Sequence, residues 1–155
     1  MDAKIVNPVI QATVDILGKV GSLAIQVKKP FIKEDATARG EITSVIALSG
    51  DTSGTVSISF PGKCILSVVS KMLGEQMNDV NDDIKDALGE ITNMISGQAT
   101  QLFEMTGQHL KASLSRVIMG KNHTIPHNAD TVVLGVPCMT EHGEILLEMC
   151  FEEEF

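Results

Sequence analysis

The sequence predicts an α+β fold, with helices packed on a largely antiparallel β-sheet in one domain spanning residues 1–155. Three observations carry that prediction. Helical and β-rich segments come in blocks: a helix, then strands, then two helices, then strands. That order is neither the β–α–β alternation of a parallel sheet nor an all-β pattern. Two pairs of β-rich runs are joined by short turn sequences, "SGDTSG" and "EHG", and so read as hairpins, the antiparallel unit. No Pro- or Ser-rich linker, low-complexity tract or clear tandem repeat divides the 155 residues, a length typical of one domain.

The elements follow in order. A helix is predicted over 7–19, with Asn7 and Pro8 as N-cap and first-turn residues and Gly18 and Gly21 at its end. Residues 22–33, "SLAIQVKKPFIK", alternate loosely and suit an edge strand, with Pro30 limiting pairing. "GEITSVIALSG" and "GTVSISF" form the first hairpin, with polar residues interleaved in its second run. "PGKCILSVVSKMLG" returns to helical spacing through Ile65, Val68, Val69, Met72 and Leu73. After a polar loop, a long helix runs from about Asp82 to about Leu110, with Gly107 able to end or distort it. "ASLSRVIMG" reads as a strand and "KNHTIPHNAD" as a loop. "TVVLGVPCMT" and "EILLEMCFEE" form the second hairpin, Pro137 arguing for an edge position or a bulge.

Composition narrows the function classes. Aromatic residues make up only 3%, with no Trp or Tyr, so the core must come from Ile, Val, Leu, Met and Ala. The formal net charge of −8 disfavours a nucleic-acid backbone or an anionic membrane as the main partner. The terminal "CFEEEF" reads as a solvated acidic tail. Cys64, Cys138 and Cys150 show no CxxC spacing and suit buried, reduced thiols. No apolar run approaches the roughly 20 residues of a membrane span. The N-terminus lacks the basic start and apolar block of a signal peptide. A soluble, cytoplasmic protein is the expectation.

The long helix carries the most informative pattern. At about 100° per residue, Ile84, Leu88, Ile91, Ile95 and Leu102 fall on one stripe, facing the core. Asp86, Glu90, Asn93 and Gly97 fall on another, more than about 90° away. Polar outer faces are ordinary for helices. Two residues are unusual for a merely wet face. Asn competes for backbone bonds inside a helix. Gly97 costs about 1 kcal/mol relative to Ala. A smooth patch with a carboxylate and an amide at its centre suits close approach by another protein.

"DALGEITNMISGQA", residues 86–99, resembles the signature of the CheC/CheX/FliY family of chemotaxis phosphatases: Asp or Ser, three residues, Glu, two residues, Asn. Asp86, Glu90 and Asn93 match all three positions, and the order of helices and strands is similar along most of the chain. Some family members carry a second motif near the N-terminus. Here that helix reads "NPVIQATVDILG", where Gln11, Val14 and Asp15 supply no Glu-x-x-Asn. The single motif and the length are most similar to the CheX branch.

The resemblance implies a CheC/CheX-like fold, a homodimer, and a phosphorylated CheY-like receiver domain as substrate and partner. It implies that Asn93 orients the water that hydrolyses the receiver's aspartyl phosphate, and that Glu90 docks to the receiver's lysine. Partner contact falls to Asp86, Glu90, Met94 and Gly97. The receiver would bring Mg2+, leaving this chain with no metal or cofactor of its own. The alternative is a non-catalytic interaction module of the same fold, as in flagellar motor-switch proteins.

Other chemistry is weaker. Cys64 in "PGKCILSV" follows a glycine turn but lacks a phosphate-cradling Gly/Arg loop, and reads as a packed thiol. His123 and His127 are four apart, but Pro126 makes a helical metal pair a poor reading. "SGDTSG" lacks the Lys-Ser/Thr ending of a P-loop and reads as a turn.

Overall fold

A computed structural model describes residues 3–127 and 132–152. Its elements are α1 (Ala3–Gly21), β1 (Gln26–Val27), β2 (Phe31–Lys33), β3 (Ile42–Gly50), β4 (Gly54–Phe60), α2 (Gly62–Leu73), α3 (Asp82–Met105), β5 (Leu110–Met119), β6 (Val133–Thr140) and β7 (Gly143–Phe151). Among the described residues, the strands form one antiparallel sheet in the order β1-β6-β7-β4-β3-β5, with β2 also on β6. The α+β prediction and both hairpins hold. Residues 153–155 of the acidic tail and 128–131 of the loop before β6 lie outside the described residues.

The topology contains a duplication that the sequence does not show. One half runs α1, β1/β2, β3, β4; the other runs α3, β5, β6, β7. In each half, the first strand pairs with the second strand of the other half: β1/β2 on β6, and β5 on β3. The last strands, β4 and β7, pair at the centre. Helices α1 and α3 therefore occupy equivalent places.

Two helix boundaries differ from the sequence reading, each for an identifiable reason. α1 begins at Ala3, with Pro8 inside it rather than at its first turn. Proline has no N–H to donate to the carbonyl four residues back. Gln108 Nε2 donates to that carbonyl, Lys4 O, at 2.5 Å. A donor 104 residues away is invisible to local pattern. At the other end, α3 stops at Met105 rather than near Leu110. Gly107 takes a left-handed φ of 76°, its N–H reaches Glu104 O at 3.0 Å, and Gln108 N–H reaches Phe103 O at 2.9 Å. This paired closure is a Schellman motif, and it releases Leu110 to start β5.

The expected edge strand over 22–33 divides into β1 and β2 around Pro30. Both lie outside β6, and Pro137 faces the gap between them, where its carbonyl accepts from Lys28 N–H at 2.8 Å. Backbone groups of one residue point the same way in an antiparallel strand. The missing N–H of Pro137 thus falls where no ladder bond is needed.

The helices cover one face of the sheet. Their core joins Ile42, Ile46, Val56, Ile58, Phe60, Leu147 and Met149 to Ile84, Leu88, Ile91 and Ile95. The opposite face mixes polar residues with Val45, Leu146 and Cys150 and is equally buried. Thr43, Thr55, Ser57, Ser59 and Glu148 are all at or below 4% exposure. The interleaved polar residues of β4 are not solvated, because a strap over residues 121–127 is tied across this face. His123 bonds Thr43, His127 Nδ1 bonds Thr55 Oγ1 at 2.9 Å, and Lys33 Nζ pairs with Glu148 Oε1 at 3.2 Å.

Candidate active site

Helix α3 is built to hold its outer face rigid. Asn81 caps it, its Oδ1 accepting from Asp83 and Ile84 N–H at 3.1 and 3.2 Å. Asp82 and Asp83 complement the positive end of the helix dipole. Ile84, Leu88, Ile91 and Ile95 are fully buried, and Leu102 is half-buried at the stripe's end. Asp86, Glu90, Asn93 and Gly97 are exposed together, as the 3.6-residue period requires. Asp86 to Glu90 spans about 6 Å along the axis, and Asn93 lies about 4.5 Å further. Met94, 43% exposed, flanks Asn93.

No hydrogen bond or ion pair among the described residues engages the side chains of Asp86, Glu90 or Asn93. A carboxylate and an amide are thus held on a regular helix with their polar atoms facing solvent. The outer surface of α3 is acidic, with Asp82, Asp83, Asp86, Glu90 and Glu104 exposed against Lys85 alone.

Beside this face runs a shallow open groove of about 320 Å³ between α3 and β5. Glu90 and Asn93 form part of one wall, and Leu114 and Val117 of β5 supply apolar surface. Sequence reasoning missed Leu114 and Val117. They sit in an ordinary-looking strand, and only the packing of α3 on β5 brings them to the motif.

The equivalent helix α1 carries a degenerate copy. Aligned by place in the fold, "QATVDILG" (11–18) corresponds to "EITNMISG" (90–97). Thr13 and Thr92 are both buried and donate to the carbonyl four residues back, Val9 O at 2.8 Å and Leu88 O at 2.7 Å. Gly18 matches Gly97, but Gln11 and Val14 stand in place of Glu90 and Asn93. Asp15 is engaged by Gln98 Nε2 at 2.8 Å. The acid–amide pair occurs on α3 and not on α1.

Other candidate groups are committed elsewhere. Cys64 is fully buried, and burial pushes its thiol pKa up; its neighbour is Thr140 Oγ1 at 3.9 Å. His123 and His127 secure the strap. Ser67, His142 and Glu141 superficially resemble a catalytic triad. Ser67 Oγ (3.2 Å) and Glu141 Oε1 (3.4 Å) both contact Nε2 of His142. A relay needs opposite ring nitrogens. No cluster of potential metal ligands occurs among the described residues.

Fold and site together define a class of protein: an α+β body that exposes an acid–amide pair on the outer face of a helix. Comparison with known proteins agrees. Residues 42–139 match the family described as chemotaxis phosphatase CheX, and the chain belongs to that family. CheY-P phosphatase CheX of Thermotoga maritima is 28% identical over 123 residues, 79% of each chain. The crystal structure of chemotaxis protein CheX from Desulfovibrio desulfuricans is 36% identical, covers 96% of this chain and 99% of its own, and superposes with a TM-score of 0.86. The CheX of a CheX–CheY–BeF3–Mg2+ complex from Borrelia burgdorferi shares the fold at 22% identity, with 96% and 98% covered and a TM-score of 0.78.

Proposed function

We propose that this chain hydrolyses the aspartyl phosphate of a CheY-like receiver, ending a chemotaxis or related two-component signal in the cytoplasm. The observation that carries the reading is the exposed, unpartnered Glu90 and Asn93 on the outer face of α3. The CheX–CheY complex from Borrelia burgdorferi supports a receiver as the partner.

The chemistry asks little of the chain beyond position and charge. Phosphoryl transfer passes through a loose transition state, so alignment of the water matters more than a strong base. The Asn93 amide offers one acceptor and two donors. It holds a water in line with phosphorus without the repulsion a carboxylate would meet there. Water oxygen bonds to phosphorus, the bond from phosphorus to the receiver's aspartate oxygen breaks, and inorganic phosphate leaves. Glu90 pairs with the receiver's lysine and sets the docking register. Asp86, Met94 and Gly97 complete the contact surface. Mg2+ belongs to the receiver, where it neutralises the phosphoryl oxygens.

Decay of the phosphorylated receiver, followed with and without the chain, tests the proposal. Acceleration is expected; binding without acceleration would favour the interaction module. We also propose the homodimer. β5, ten residues long and without an outer strand among the described residues, offers an edge for pairing. Light scattering tests it, and a monomer mass would refute it.

A further inference from the structure

We infer that the groove between α3 and β5 is a socket for an apolar side chain of the receiver, one standing beside the cation that Glu90 engages. This rests on the proposed phosphatase reading and adds a specificity surface to it. Three observations support the socket.

The first is continuity. Glu90 and Asn93 belong to the groove wall, so a receiver placed for the chemistry covers the groove as well. The second is its floor. Leu114 and Val117 are half-buried and present apolar surface to the groove. Covering such surface favours association by about 25 cal/mol per Å². Its rim carries Asp86 and Glu90 against Lys85, which suits an apolar group with a cationic neighbour.

The third is Gly89. A glycine inside a helix costs about 1 kcal/mol relative to alanine. Here nothing within the chain calls for it. Its φ is not positive. A Cβ at this position would meet Leu114 Cδ2 at 3.6 Å, an ordinary contact. Alanine would fit and improve the helix. The missing side chain leaves open space above Leu114 at the groove, room for atoms arriving from outside.

The test uses Gly89→Ala and Gly89→Leu in the full chain, with steady-state hydrolysis of a phosphorylated receiver, thermal unfolding and light scattering. Both variants are expected to melt at or above the wild-type temperature, since each replaces glycine with a better helix former. KM is expected to rise about threefold for the alanine and about tenfold or more for the leucine, with kcat within about twofold of wild type. A wild-type KM in both variants overturns the socket while leaving the phosphatase reading intact. A wild-type chain that does not accelerate hydrolysis removes both. A changed mass in Gly89→Leu would make the groove a self-association surface and overturn the proposal.

Discussion

Replacing Asn93 with alanine separates a catalytic role from a structural one, because the two move stability and activity differently. The Asn93 side chain is exposed and makes no hydrogen bond among the described residues, so the fold loses no hydrogen bond. Asparagine is a poorer helix former than alanine by about 0.6 kcal/mol. At this chain length, that gain corresponds to a melting temperature about 1–3 °C higher. Activity should move the opposite way. Losing a group that positions the attacking water costs on the order of 10²-fold in rate, or about 2.7 kcal/mol of transition-state stabilisation. Affinity for a receiver carrying a beryllofluoride phosphoryl mimic should change little, because Glu90 remains. Phosphate release, calorimetry of unfolding and titration with the mimic give the three readouts. Retained hydrolysis in a folded Asn93→Ala protein would refute the reasoning. So would a fall of several degrees in melting temperature, which would make Asn93 a structural residue.

Other parts of the molecule yield further expectations. Glu148→Ala removes one buried partner of Lys33, whose Nζ keeps Asp35 Oδ1 at 3.5 Å and the Asp35 and Thr37 carbonyls at 2.9 and 2.8 Å, and should destabilise the fold by about 1–3 kcal/mol in urea denaturation; no measurable loss would show that the buried pair is dispensable. Gly107→Ala forces a side chain into the left-handed turn closing α3 and should cost about 1–2 kcal/mol, with hydrolysis at saturating receiver retained. Burial and the charge of Glu144 push the Cys138 thiol up to about 11. At pH 8, about one molecule in a thousand then carries the thiolate there, and the proportion rises with pH. Native Cys138 should therefore resist thiol reagents near neutrality and react only on unfolding; rapid native labelling would contradict this.

How much could be read from the sequence varied with how local the determining interaction is. The face carrying Asp86, Glu90 and Asn93 follows from helical period alone, because burial of Ile84, Leu88, Ile91 and Ile95 fixes the rotation of the helix. The hairpins were legible in their turns. Pro30 correctly marked the break in the outer edge of the sheet, whereas Pro137 lies in β6, inside the sheet between β7 and β1/β2, and is tolerated because it faces the gap between those two short strands. The sequence was least legible where a distant residue decided the outcome. Pro8 sits inside α1, where Gln108 donates to the carbonyl that a proline cannot serve. Thr55, Ser57 and Ser59 alternate as solvent-facing residues do, yet the strap over 121–127 buries that face. Leu114 and Val117 join the motif only through the contact of α3 with β5. The two-fold repetition is not legible in the sequence because the halves share a pattern of pairing and few residues.

The proposed function turns most directly on turnover. The wild-type chain, present well below the concentration of a phosphorylated receiver, should release phosphate from many receiver molecules per chain and stop when the phosphorylated pool is spent. Asn93→Ala should slow that release by on the order of 10²-fold. Stoichiometric binding with no gain in phosphate release, from any receiver of the host, would contradict the reading and leave α3 as a docking surface alone.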